Sequence, residues 1–328
     1  MRRKIGLSLP NRGVLFGATT IEELYSLTET AEASGYFDSV WVGDGLIAKP
    51  RVEAIALLSA LAARTERIRL GVCCLATFPL RNPVLFACQW ASLDVISAGR
   101  SLLAVCLGAP TARAGANLNA ELKAMNVEGR TRVGRFEEGI EVVRSVWAGK
   151  SSHEGRYMNF PEIDLQPKPV QQPCPLWIAS NPDASKLSPE RYQTAIDRVA
   201  RMADGWLSTV VTPADFGARL REIQGARKAM GKDPAIPSAA HLMINVQNDA
   251  GTARDEAKRF LDEYYMTDTQ PDTMEAWGAY GTPDEVIARI EEYGSAGLDI
   301  PIIRFASFDQ KGQLERALQD LLPPLVET

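Results

Sequence analysis

Short apolar runs alternate with helix-forming stretches along almost the whole chain, and this alternation limits what it can fold into more than any other feature. Eight runs have strand length and composition: 4–9, 38–43, 68–74, 101–107, 176–179, 205–211, 238–246 and 300–305. Nearly every one is followed by a segment with helical spacing of apolar residues. The segments carry their own start and stop signals. Thr20 with Glu23, and Thr282 with Glu285, have the spacing of capping boxes, and Pro283 occupies the first helical position. Gly35, Gly99, Gly231 and Gly297 stand where helices should stop. Strands joined through helices are parallel and buried on both faces. Eight such units predict a closed (β/α)8 TIM barrel, an α/β fold. A doubly wound open sheet is the competing arrangement, and no strand is followed by a GxGxxG turn that would support it.

With 328 residues, 45% of them hydrophobic, the chain is long enough for one large core, and barrels of this size are often a single domain. We expect one domain over 1–328. Three stretches interrupt the alternation and are expected at its rim. Residues 111–129 are weakly patterned and suit a lid or rim helix. Residues 151–174 hold four prolines and suit an inserted hairpin with a loop. Residues 266–280 read as a polar, irregular surface excursion.

The net charge is −5, and the basic residues are scattered without interleaved aromatics, so a nucleic-acid partner is not expected. No run approaches membrane-spanning length, and the apolar stretch behind the basic start is too short for a signal sequence. A cytoplasmic protein is expected. The five cysteines show no CxxC spacing and read as small buried hydrophobes in a reducing compartment. With two histidines and no clustered ligands, no metal is expected. No GxSxG turn follows a strand, which argues against a serine hydrolase.

Barrel active sites lie at the C-terminal ends of the strands. That rule selects Asp44, Cys73 and Cys74, Gly108, Ser180 and Asn181, and Arg304. His241, in the middle of its strand, is a further candidate. Asp44 follows an apolar strand and precedes Gly45, where the chain leaves the barrel; its alternative role is to cap the helix expected from about Arg51. Ser180 and Asn181 precede a helix, and free N–H groups and a hydroxyl at such a junction suit a phosphate. Lys49, Arg51 and Arg81 could attract an anionic tail.

The stretch RIRLGVCCLATFPLRNP at 67–83, then LDVISAGR at 93–100, resembles the luciferase-like monooxygenases. The match continues in GYFDSVWVGD, RFEEGIEVVRSVWAGK, PLWIASN, RMADGW and GTPDEVIARIEEYGSAGLD, in the family's order. The resemblance implies a (β/α)8 barrel and a flavin- or deazaflavin-dependent oxidoreductase. It implies FMN or coenzyme F420 as cofactor, with NAD(P)H or a partner flavin reductase as electron source, a small organic substrate and a homodimer.

Asp44, where the family commonly places an acidic residue, and His241, chosen from its strand alone, are the candidate catalytic groups. Asp44, Cys73, Cys74, Cys106, Gly108, Ser180 and Asn181 are the candidate cofactor contacts. Family members often carry a strand bulge at the position of Cys73 and Cys74, sometimes with a non-proline cis peptide. Many deazaflavin-dependent members have a His after the acidic residue, where this chain has Gly45. That departure leans the expectation toward an FMN-dependent monooxygenase, with F420-dependent hydride transfer as the alternative. A barrel that binds flavin without turnover is the alternative of another class.

Overall fold

The structure, a computed structural model, describes residues 4–108 and 115–326. In chain order the strands and helices are β1 (Gly6–Ser8), α1 (Ile21–Ser34), β2 (Ser39–Val42), α2 (Ala54–Ala62), β3 (Arg69–Leu75), α3 (Pro83–Ile96), β4 (Ser101–Val105), α4 (Gly115–Ala124), α5 (Arg132–Ala148), β5 (Ser151–Glu154), β6 (Asn159–Ile163), β7 (Leu176–Ala179), α6 (Pro189–Met202), β8 (Gly205–Thr209), α7 (Pro213–Ala229), β9 (Ser238–Val246), α8 (Ala250–Tyr265), α9 (Pro271–Trp277), β10 (Gly278–Gly281), α10 (Pro283–Ser295), β11 (Ile300–Phe305), α11 (Gln310–Arg316) and α12 (Leu322–Val326). The fold is the expected (β/α)8 barrel, built on β1, β2, β3, β4, β7, β8, β9 and β11. Its strands are short and almost wholly buried, as parallel strands covered on both faces must be.

Two compact units make up the chain, residues 1–41 with 177–328, and residues 42–176. In the first, β1 pairs in parallel with β2 and with β11, β9 pairs with β11 and with β8, and β7 pairs with β8. Gly6 is required where it stands: a Cβ there would lie 2.6 Å from Nε1 of the buried Trp41. That indole donates to Ser39 Oγ at 2.8 Å, so the ring is buried without an orphaned donor. In the second unit, β3 pairs in parallel with β4, with a register shift between Cys73 and Leu75. The hairpin expected within 151–174 is present as β5 and β6.

Helix boundaries follow the chemistry of the caps. Thr20 accepts from Glu23 N–H at 3.1 Å, but the expected box is half made, because the Glu23 carboxylate accepts from Thr19 Oγ1 instead. At Thr282 the full box forms with Glu285, behind Pro283. Asn82 accepts from the N–H groups of Val84 and Leu85 and opens α3. Gly35 and Gly99 take positive φ, 67° and 81°, and end α1 and the turn after α3.

One expectation needs correction. Residues 266–280 are not an irregular surface stretch: they include α9 and the start of β10, which adds to β9 in parallel. Tyr280 is 8% exposed and shares a core cluster with Met243, Phe260, Tyr264 and Met274, with Tyr265 and Trp277 packed against it. Its spread-out aromatics had no legible period. In the weakly patterned 111–129, α4 is formed from Gly115, and 111–114 lie outside the described residues. Among the described residues no helix is long and apolar enough to cross a membrane.

Candidate active site

Within residues 42–176, Asp44 lies just past the end of β2 and is 6% exposed. Its Oδ2 accepts from Thr77 N–H at 2.8 Å and from Thr77 Oγ1 at 2.7 Å. Its Oδ1 faces Arg81 Nη2 at 3.3 Å. The same Nη2 reaches Glu53 Oε1 at 2.9 Å, and Arg81 Nε donates to Thr77 Oγ1 at 2.8 Å. Burial raises the Asp44 carboxyl above its ordinary range, and Arg81 and Thr77 oppose that shift. Arg81 therefore serves Asp44 and Glu53. The capping role considered for Asp44 belongs to Glu53, which accepts from Ala56 N–H at 2.7 Å at the start of α2. Thr77, which the sequence did not single out, is the closest partner Asp44 has here.

The chain turns sharply after Asp44. A Cβ on Gly45 would lie 2.5 Å from the Lys49 carbonyl oxygen. One Glu121 carboxylate oxygen accepts from the N–H groups of Leu46, Ile47 and Ala48 at 3.3, 2.7 and 3.0 Å and fixes the loop in this shape. Glu121 comes from the weakly patterned stretch, and no local sequence signal marks it.

At the end of β3 the Cys73–Cys74 peptide bond is cis, at the place where the resemblance suggested such a bond. Cys74 Sγ and Cys106 Sγ lie 2.6 Å apart, and all five cysteines are free. The hydrogen bond to Cys106, and then burial, push the Cys74 thiol well up, so it stays protonated. Gly108 has φ 73°, with Ala76 O 3.1 Å from where a Cβ would stand. Arg132 Nη1 donates to Leu107 O at 3.2 Å. Cys106, Cys73 and Asp44 are each close enough to Cys74 to act on it electrostatically.

In the other unit, His241 lies on β9 between β8 and β11 and is 5% exposed. Its Nε2 is 3.1 Å from Ser8 Oγ. Arg304, 1% exposed on β11, donates from Nη2 to Ser8 Oγ at 2.7 Å and to Leu9 O at 3.1 Å, and from Nη1 to Tyr265 OH at 3.0 Å. Tyr264 and Trp277 lie nearby: Arg304 Cζ is 4.9 Å from the Tyr264 ring centre, and the His241 and Trp277 ring centres are 6.4 Å apart.

Ser180 and Asn181 follow β7 as expected, but they do not sit at a helix N-terminus. α6 starts at Pro189, where Ser188 caps it. Pro182 and the turn residues that follow it delay the helix, and Pro189 then occupies its first position. Ser180 N–H donates to Leu207 O at 3.0 Å. Asn181 Nδ2 donates to Thr209 O at 2.6 Å and Val210 O at 3.0 Å, and its Oδ1 accepts from Arg219 Nη1 at 2.5 Å. Arg219, unmarked in the sequence, brings a cation to this turn. His153 lies on the hairpin, 3.4 Å from Glu138 Oε1. No group of three metal-ligating side chains occurs among the described residues.

Residues 4–267 match the family model described as luciferase-like monooxygenase. The chain belongs to that family. It is an oxidoreductase of the flavin- or F420-dependent kind. It is 25% identical to an F420-dependent glucose-6-phosphate dehydrogenase from Beutenbergia cavernae, over 92% of this chain and 93% of the relative. It is 22% identical to the oxygenase component of a flavin-dependent trigonelline monooxygenase from Acinetobacter baylyi, over 94% and 90%. The crystal structure of monooxygenase RslO1 from Streptomyces bottropensis superimposes with a TM-score of 0.79 at 21% identity, over 98% of this chain and 99% of that one, which shows the shared fold.

Proposed function

We propose that this protein is a monooxygenase that uses reduced FMN and oxygen on a small organic substrate. The observation that supports FMN over F420 is the turn at Gly45. Its absent Cβ would meet the Lys49 carbonyl at 2.5 Å, in a loop held by Glu121. The His that deazaflavin-dependent relatives place after the acidic residue has no room here.

The bound cofactor supplies the oxygen or hydride chemistry, and the protein supplies position and electrostatics. The residues fit a flat ring. At β3 the cis-linked Cys73 and Cys74 offer backbone and small side chains, and Gly108 keeps the end of β4 low. Asp44 orients a ring edge or a substrate hydroxyl by accepting hydrogen bonds, with Thr77 and Arg81 fixing its oxygens. Cys106 shapes the same neighbourhood through its contact with Cys74. Ser180 and Asn181, with Arg219, suit an anionic group. His241 is the proton-bearing group closest in character to an acid catalyst. Reduced flavin comes from NAD(P)H through a reductase partner, and the protein acts as a cytoplasmic homodimer.

The second reading is hydride transfer with F420. The presence of His241, able to serve a substrate oxygen, favours it, as does the F420-dependent relative. Equilibrium titration of cofactor-free protein with FMN and with F420, followed by absorbance and fluorescence, separates the two. Tight FMN binding without F420 affinity is the expected result. Preference for F420 reverses the ranking, and binding of neither by folded protein removes both.

A further inference from the structure

We propose that Cys74 and Cys106 are a peroxide-sensitive dithiol, a reversible modification site at which hydrogen peroxide joins the two sulfurs as a disulfide. The bond stands on the geometry of β3 and β4 alone; only the source of the peroxide rests on the oxygen-dependent reading above.

The two strands set the sulfurs against each other. β3 and β4 pair in parallel, Cys73 with Ala104 and Leu75 with Val105. Cys74 is the extra residue between those pairs, and a bulge of this kind re-aims a side chain. Cys106 follows β4 directly, and its N–H donates to Leu75 O at 3.3 Å. Neighbouring strands lie about 4.8 Å apart, within the roughly 4.4–6.8 Å between Cα atoms that a disulfide spans. The Sγ atoms are 2.6 Å apart, against about 2.0 Å for the bond, so little movement is needed to join them. Cys74 and Cys106 are half-buried at the strand ends, whereas Cys174 is buried.

The hydrogen bond to Cys106, and then burial, keep Cys74 protonated, so the first attack falls to Cys106. Cys106 Sγ gives up its proton and attacks one oxygen of the peroxide. The O–O bond breaks, one water leaves, and Cys106 becomes a sulfenic acid. Cys74 Sγ then attacks that sulfur. The S–O bond breaks as the S–S bond forms, and the hydroxyl leaves as a second water with the Cys74 proton. Two thiols are oxidised by two electrons, and one hydrogen peroxide is reduced to two waters. Without a second thiol in contact, a sulfenic acid goes on to the sulfinic acid, which thiols do not reverse. The pair therefore ends oxidation at a stage that reduction restores. In the oxygen-dependent reading, turnover of oxygen without substrate supplies the peroxide at this end of the strands.

The test uses purified full-length protein, reduced and free of cofactor, treated with a small excess of hydrogen peroxide. Thiols are counted in denaturant before and after dithiothreitol. Two of the five thiols are expected to disappear and to return. Without reduction, trypsin is expected to release the peptides 70–81 and 101–113 joined to each other, with fragmentation placing the bond on Cys74. Cys73→Ser is expected to keep the link. Cys74→Ser is expected to lose it, with Cys106 going on to the sulfinic acid. Five thiols that survive treatment, a bond made by Cys73, or a loss that dithiothreitol does not restore would each overturn the proposal. The wild-type peptides decide even where a variant does not fold. Neither turnover nor bound cofactor is needed, so the result stands apart from whether FMN or F420 binds.

Discussion

The Asp44 cluster and the His241 cluster are both buried and polar, yet they are built in opposite ways. Asp44 is surrounded by residues near it in sequence, with Thr77, Arg81 and Glu53 all within 37 positions. It faces the charged Arg81 as well as Thr77, and burial works against its ionised form. His241 is held by Ser8, 233 positions away, and Ser8 by Arg304, 296 positions away. There one cation serves several neutral acceptors, drawn from distant parts of the chain. The first cluster therefore fixes a loop and a carboxylate; the second holds a ring beside a buried cation and a hydroxyl. A catalytic acid or base needs such a fixed position, because it must stay within hydrogen-bond reach of the reacting atom.

This contrast predicts different costs. Replacing His241 with Gln should leave the fold intact and lower the turnover rate by about 10²- to 10⁴-fold, the usual range for loss of a positioned acid or base. Steady-state kinetics with the cofactor that binds checks this. Asp44→Ala should instead act on stability. It leaves Arg81 beside an emptied buried site and Thr77 N–H without its acceptor, at a cost of about 3–5 kcal/mol, read from urea unfolding.

Gly45→His tests the turn itself. The new side chain must displace the Lys49 carbonyl, so about 1–3 kcal/mol of stability should be lost, as in other overpacked sites. An unchanged unfolding midpoint would remove the structural reason for the missing histidine and weaken the case for FMN. The smallest helix effect belongs to Thr20→Ala, about 1 kcal/mol for a lost N-cap, because Glu23 is bound to Thr19 and the box is only half made.

The pH dependence of Asp44 sharpens the comparison further. Its folded carboxyl titrates above the ordinary 3.8, so between that value and its folded pKa the native state holds more protons than the unfolded one. Wild type should gain stability relative to Asp44→Asn as the pH falls through the folded pKa, the gain being complete below the ordinary value. A carboxylate held mainly by its ion pair would show the reverse. Unfolding of both proteins from pH 7 to pH 4 distinguishes the two.

Much of the fold was legible because the pattern is local. Helix limits such as Ile21–Ser34 and Arg132–Ala148 follow from caps, glycines and apolar spacing within a few residues. The cis bond at Cys73–Cys74 was suggested by resemblance, and Asp44 by its place after a strand. What escaped depends on distant partners. Glu121 is an ordinary helical glutamate until the loop at 46–48 turns its N–H groups toward it. Thr77 and Arg219 likewise acquire meaning only through the residues they meet. Arg304 was visible as a polar residue ending an apolar strand, but its bond to Ser8 exists only once β11 lies beside β1. The helix and strand at 271–281 were missed because their apolar residues are sparse and become a core only against β9 and α8.

The most direct test sets the two clusters side by side. Single-turnover rates of Asp44→Asn and His241→Gln would be measured on protein saturated with its reduced cofactor, so that weaker binding does not count. Asp44→Asn should keep its rate within about tenfold, while His241→Gln should lose about a hundredfold or more. The opposite pattern, with Asp44→Asn inactive and His241→Gln near wild type, would contradict the assignment of the proton-bearing role to His241.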